Sequence, residues 1–162
     1  MSRIAYVDCL NKRYQSQGFP PYRWSTFDSS PWTPFVKPLA QSCLALISSA
    51  GIFREDQPPF DPWAVNDLSF RQIPKDTPVQ KLKLRHNYFD HRDTLRDFNC
   101  LFPVQRLQEM ERSGYIGRFA PMAISLGMGR LYKRTELLKD TVPKILEVLK
   151  EQGTDAALLV AA

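Results

Sequence analysis

The 162-residue sequence has no long hydrophobic run. Its longest apolar stretch is the last one, Ala156–Ala162, far short of the roughly 18 residues that read as a membrane span. The start, Met1-Ser-Arg-Ile-Ala-Tyr-Val-Asp8, lacks the long apolar segment that follows the basic residues of a signal peptide. Cysteine is scarce. Cys9, Cys43 and Cys100 lie far apart and form no C-x-x-C pair. An odd, scattered set argues against a disulfide scaffold and fits reduced thiols in a cytoplasmic protein. Charge of one sign does not cluster either. The formal net charge is +5, but Lys and Arg interleave with Asp and Glu. No basic stretch carries regularly interleaved aromatics, so the reading is of no nucleic acid and no membrane. The GxGxxG and GxxxxGKS/T glycine patterns of nucleotide sites are missing. So is the G-x-S-x-G elbow of a serine hydrolase.

What is present is ordinary globular material, with 43% hydrophobic residues and a length that suits one core-bearing domain. Residues 1–40 differ from the rest. Tyr6–Tyr14 reads as a short amphipathic helix. Between Gly18 and Pro38 stand five prolines and two tryptophans, which forbid long helix or central strand. This Pro- and aromatic-rich segment is expected to be an arm. Its Trp24 and Trp32 should be largely buried, on this chain's own core or on a neighbouring subunit.

Residues 41–162 carry an α/β pattern. Cys43-Leu-Ala-Leu-Ile47 is a continuous apolar run, expected as a buried parallel strand ending in the small-residue loop Ser48–Gly51. Phe53–Asn66 reads as a loop. Ser69–Ile73 and Leu82–His86 alternate and read as strands. Asp90 or Asp93 is placed to cap a following helix. Pro103 fits the first turn of another, with Val104, Leu107 and Met110 at helical spacing and Gly114 at its end. Ile116–Leu126 is apolar and cannot be typed. Thr135–Gln152 is the clearest helix, with Pro143 expected to kink it or mark its true start. Ala156–Ala162 reads as a second buried strand. The fold class expected is α/β, an open, mostly parallel sheet with flanking helices. Ligands of such sheets bind beyond the carboxyl ends of the strands.

The densest polar cluster is His86-Asn-Tyr-Phe-Asp-His-Arg-Asp93, which holds both histidines of the chain. It suits an acid–base or substrate-orienting group at a strand end, or a capped turn with surface imidazoles. No metal is expected, because no paired Cys and no Glu one turn away accompany the two His. Ser48 and Ser49 offer hydroxyls and turn N–H groups to an anion. Arg71 and Arg85 offer guanidinium groups for a carboxylate. Ser48, Ser49, Arg71, Arg85, His86 and Asp90 are therefore the candidate substrate-binding residues. Gly127-Met-Gly-Arg130 is weak as a glycine motif. Cys43 and Cys100 lie among apolar neighbours and are expected to be inert core thiols.

Several segments together resemble the selenoprotein B group of glycine/sarcosine/betaine reductases and the related D-proline reductase subunit. They are Pro20-Pro-Tyr-Arg-Trp24, Pro31-Trp-Thr-Pro34, Lys37-Pro38, Ala45–Gly51, Gln57-Pro-Pro-Phe-Asp61, Ser69–Pro74, His86 with Asp90, Asp97-Phe-Asn99, Phe102-Pro103, Arg106-Leu107 and Gly114-Tyr-Ile-Gly117. The resemblance covers nearly the whole chain. It implies a subunit of a dithiol-dependent reductase that cleaves a C–N bond of a small amino acid or amine such as glycine, sarcosine, betaine or D-proline. It also implies that other subunits, or copies of the same chain, are its partners. In that family a selenocysteine or cysteine attacks the substrate carbon, from a loop directly after a strand like Leu158–Ala162. That residue is expected just after Ala162, so no catalytic residue is assigned within the 162 residues, and no other cofactor is expected. A UGA codon read as stop would end the sequence at this point. The alternative reading is a non-catalytic α/β scaffolding domain that binds a partner through its Pro/Trp arm.

Overall fold

The computed structural model describes residues 5–21, 27–30, 32–129 and 133–162. Trp24 lies outside the described residues. The chain divides into two compact units, residues 1–34 and 35–162. In the first, α1 (Tyr6–Ser16) has no buried residue. Gly18 follows it at φ +82°, and the Phe19 ring meets Tyr14 edge-on at 6.1 Å. Trp32 is 85% exposed. The burial expected for this ring from its apolar area is not seen within its own unit.

The second unit is built on β1 (Cys43–Ser48). It pairs in parallel with β5 (Arg118–Phe119) and β6 (Met122–Leu126) along one edge, and with β7 (Ala156–Val160) along the other. β3 (Phe70–Pro74) lies antiparallel outside β6. A separate antiparallel pair joins β2 (Ile52–Arg54) to β4 (Leu82–Leu84). The fold is therefore α/β, with a mostly parallel open sheet and flanking helices. No helix among the described residues is long and apolar enough to cross a membrane.

β1 is apolar from Cys43 to Ile47 because both of its faces are covered. Leu46 faces a core that includes Ile73, Phe102, Leu107, Phe119 and Ala123, with Leu44 packed at its margin. Cys43 and Ala45 point the other way, to Ala120 and Leu149. The segment Ile116–Leu126, untyped by pattern, is two strands. Pro121 separates β5 from β6 because it has no N–H for the ladder, and its carbonyl instead accepts from Lys75 N–H at 2.8 Å. The supposed loop after residue 53 starts late, since Ile52–Arg54 is already paired as β2.

Among the helices, α2 (Arg92–Arg96) follows Asp90, whose carboxylate accepts from Arg92 N–H at 3.0 Å. α3 (Val104–Arg112) turns Val104 and Leu107 into the core, and Gly114 follows at φ +73°. α4 (Arg134–Glu136) runs through one π turn, Leu137–Thr141, into α5 (Val142–Glu151). Pro143 sits in the first turn of α5, where its missing N–H is not needed, so it marks the start of that helix.

The final strand corrects the sequence reading. β7 pairs with β1 as expected, but it is not buried. Leu158 is 38% and Leu159 73% exposed. Its apolar run matches that of β1, and the difference is position. β1 has a strand on either side, whereas β7 has one on a single side among the described residues.

Candidate functional site at the carboxyl ends of the strands

Because β1, β6 and β7 are parallel, their carboxyl ends meet at one rim of the sheet. The turn Ser48–Gly51 ties them together. Ser49 N–H donates to Val160 O at 3.1 Å, and Gly51 N–H donates to Leu126 O at 3.2 Å. Arg85 N–H donates to Gly51 O at 3.0 Å, which brings the segment after β4 to the same rim. Gly51 has φ +66°, and a Cβ there would stand 2.4 Å from Arg85 O and 3.6 Å from His86 Cβ. Only glycine fits this approach. The structure thus places His86 beside the Ser48–Gly51 turn.

His86 is 3% exposed. Its Nδ1 accepts from Tyr88 N–H at 3.1 Å, so in the neutral ring the proton sits on Nε2. That Nε2 is buried and has no partner among the described residues, and the same holds for His91 Nε2. The Phe89 ring lies between the two imidazoles, 4.6 Å from His86 and 4.8 Å from His91, and Tyr88 meets His86 edge-on at 5.6 Å. Burial first, and the nearby His91 second, hold the His86 pKa below the ordinary histidine range. At neutral pH His86 is therefore an uncharged donor without an acceptor. Such a buried group costs about 1–3 kcal/mol, a cost a structural core residue ordinarily avoids.

The other candidates divide by whether their polar atoms are engaged. Ser48 is buried, donates to Leu101 O at 2.8 Å and accepts from Ala50 N–H at 3.2 Å, so its hydroxyl braces the turn. Ser49 is half-buried, and its Oγ accepts from Ala162 N–H at 3.1 Å, a bond that leaves the hydroxyl proton available. Arg71 is fully employed. It donates to Pro58 O, Pro59 O, Ser69 Oγ and Phe70 O and lies 4.3 Å from the Phe60 ring centroid. It fastens the proline-rich 57–60 segment to β3. Asp90 forms an exposed ion pair with Arg92 at 2.5 Å, and this partner holds its carboxyl below the usual range. Arg85 is exposed while its neighbour His86 is buried, because successive side chains of an extended segment leave it on opposite sides. Ser49 and Arg85 remain accessible, whereas the unpartnered Nε2 of His86 is buried, and Arg85 and His86 do not share one face.

One further residue of the rim escaped the sequence reading. Ser125 in β6 is fully buried and its Oγ accepts Ile52 N–H at 2.9 Å. A serine inside Met-Ala-Ile-Ser-Leu gives no signal of this. Gly127 and Gly129 serve close approach, not a phosphate. A Cβ would come within 2.7 Å of Asp67 O at the first and 2.3 Å of Val65 O at the second.

The thiols need one correction. Cys43 is buried as expected, but Cys100 is exposed, as is Cys9. Cys100 ends the short 3-10 turn Phe98–Cys100, whose Phe98 packs on the core and leaves the third residue facing outward. Among the described residues no three His, Cys, Asp or Glu side chains group to hold a metal ion. The rim's chemistry is that of hydroxyl, neutral imidazole and backbone donors, which suits a small polar or anionic ligand.

The family model described as glycine/sarcosine/betaine reductase selenoprotein B matches residues 5–162. The D-proline reductase subunit gamma of Acetoanaerobium sticklandii is 35% identical over 130 residues, which is 80% of this chain and 52% of that protein. The chain thus spans about half the length of the curated relative it matches. No solved structure matches.

Proposed function

The chain belongs to the glycine/sarcosine/betaine reductase selenoprotein B family, and from that premise we propose that it is the substrate-side part of a dithiol-dependent reductase subunit. The reaction is reductive cleavage of a C–N bond in a small amino acid or amine. The bond takes up two electrons and two protons, which a dithiol supplies in becoming a disulfide. The carbon keeps one hydrogen and the nitrogen leaves with the other. The match along residues 5–162 carries this reading. The rim geometry supports it, since Ser49 offers its hydroxyl where ligands of parallel sheets bind, and the buried, unpartnered Nε2 of His86 lies beside that turn. The selenocysteine or cysteine belongs just beyond Ala162, at the end of β7 and beside Ser49. Other subunits of a reductase complex, or further copies of this chain, complete the enzyme in the cytoplasm.

The test is an assay with dithiothreitol on glycine, sarcosine, betaine and D-proline. Two proteins are compared, the 162-residue chain and the chain extended through a cysteine or selenocysteine loop after Ala162. Turnover is expected from the extended protein, alone or with its partner subunits, and not from the short one. Turnover by the short chain that disappears in Cys100→Ala would overturn the assignment and make the exposed Cys100 the nucleophile. The alternative, a non-catalytic scaffolding domain, draws on the exposed Trp32 and predicts no turnover by either.

A further inference from the structure

The outer edge of β7 pairs with no strand among the described residues and carries no protecting feature in its own sequence. Ala156–Val160 has no charge, no proline and no bulge, and such features are what keep exposed strands from pairing. Both faces of the strand are half-open as well. Leu158 is 38% exposed on the side of the Leu46 core, and Leu159 is 73% exposed on the side of α5. Asp155 N–H donates to Cys43 O at 2.9 Å. At the other end Ser49 N–H donates to Val160 O at 3.1 Å, and in this register the alternation of the parallel ladder turns Ala156, Leu158 and Val160 toward β1 and the N–H groups of Ala157 and Leu159 to the open edge. Beside it runs a groove of about 260 Å³ between α5 and β7, lined by Leu146, Leu149, Ala156 and Ala157 together with Lys150, Thr154 and Asp155. Leu146 is 47% exposed there, and Thr154 Oγ1 is buried with no partner among the described residues. An apolar edge, two uncovered leucines and a mixed groove with one orphan hydroxyl, rimmed by Lys150 and Asp155, form a continuous surface.

We infer that this surface is the seat of a further strand-and-helix segment from the family's own second half, the strand pairing with β7 and the helix filling the groove beside α5. The occupant follows from three observations. The relative carries as much polypeptide again as this chain matches. Parallel sheets are stable when both faces and both neighbours of a strand are covered, usually through strand–helix–strand units. The groove lies on the face that α5 already covers, where a neighbouring crossover helix belongs. A second copy of the chain, joined edge to edge, is the competing occupant. The inference rests on family membership and not on the reductase chemistry.

Amide exchange in the 15N-labelled chain, read by NMR, is the test. The probe is the unmatched half of the Acetoanaerobium sticklandii subunit, supplied as a separate polypeptide and, in a second protein, fused after Ala162. In the chain alone the Ala157 and Leu159 amides should exchange rapidly. In the mixture or the fusion they should slow by on the order of tenfold or more, and Leu159→Lys should reverse the slowing. The Leu46 amide serves as the internal control for an intact fold. Rapid exchange at 157 and 159 in the fusion, with Leu46 protected, would overturn the inference. So would slow exchange in the chain alone that rises with concentration alongside a dimer mass in sedimentation, which assigns the edge to a second copy. Loss of C–N reductase turnover leaves this result untouched, so the two readings fail separately.

Discussion

Gly51 and Arg85 are locked together at the rim of the sheet. Arg85 N–H donates to Gly51 O at 3.0 Å, and a Cβ on Gly51 would come within 2.4 Å of Arg85 O. The Arg85 oxygen is backbone and cannot swing aside. Gly51→Ala adds this clash to the strain of φ +66°, and is expected to destabilise the chain by about 2 kcal/mol or more. A urea midpoint unchanged from the parent would show that the turn relaxes freely.

Ser48 and Ser49 are adjacent but should respond differently. Ser48→Ala removes two buried hydrogen bonds and leaves Leu101 O and Ala50 N–H without that partner, so a loss of about 1–3 kcal/mol is expected. Ser49→Ala should change stability by less than about 1 kcal/mol and raise KM in the extended enzyme. Thermal melts and substrate titrations on the two variants separate a brace from a binding group. Equal destabilisation by both would remove Ser49 from the proposed site.

Glu111 accepts from Lys75 Nζ at 2.7 Å and from Phe119 N–H at 3.0 Å. Burial works to raise its pKa, but the Lys75 ammonium and the Phe119 N–H together hold it below the ordinary 4.5. A depressed carboxyl stabilises the fold above its unfolded value, and the contribution drains away as pH falls through the folded value. Both side chains are about three-quarters covered, so Glu111→Gln should cost about 1 kcal/mol at pH 7. The variant should lose less stability than the parent between pH 5 and pH 3, measured by urea unfolding at each pH.

His86 gives the same direction in a higher window. Its folded pKa lies below the ordinary 6.5, so the unfolded chain binds the proton first as pH drops. Stability is fully present above about 6.5 and falls as pH descends from there toward the folded value. His86→Leu removes both the titration and the unpartnered donor. Its urea midpoint should fall less than the parent's between pH 7.5 and 5.5. Imidazole nitrogen shifts should report the Nε2–H tautomer in the parent at pH 7. A protonated His86 ring at that pH would contradict the buried, neutral assignment.

Local pattern alone settled several features of this protein. The continuous apolar runs of β1 and β7, the alternating segment before Pro74, the helix after Pro103 and the long helix around Pro143 follow from periodicity and from what proline and glycine permit. So did the placement of His86 near the end of a strand. Tertiary structure decided what those patterns could not carry, because coverage of a face depends on residues far away in the chain. Nearly the same kind of apolar run is buried at Ala45–Leu46 and exposed at Leu158–Leu159 because one strand is central and the other an edge. Arg71 is a guanidinium like Arg85 in the sequence, yet the 57–60 segment consumes it. Cys100 sits among Phe98, Leu101 and Phe102, and the short turn that buries Phe102 faces the thiol outward. Gly51 is one small residue in a small-residue loop until the carbonyl of Arg85, folded in from beyond β4, leaves room for no side chain.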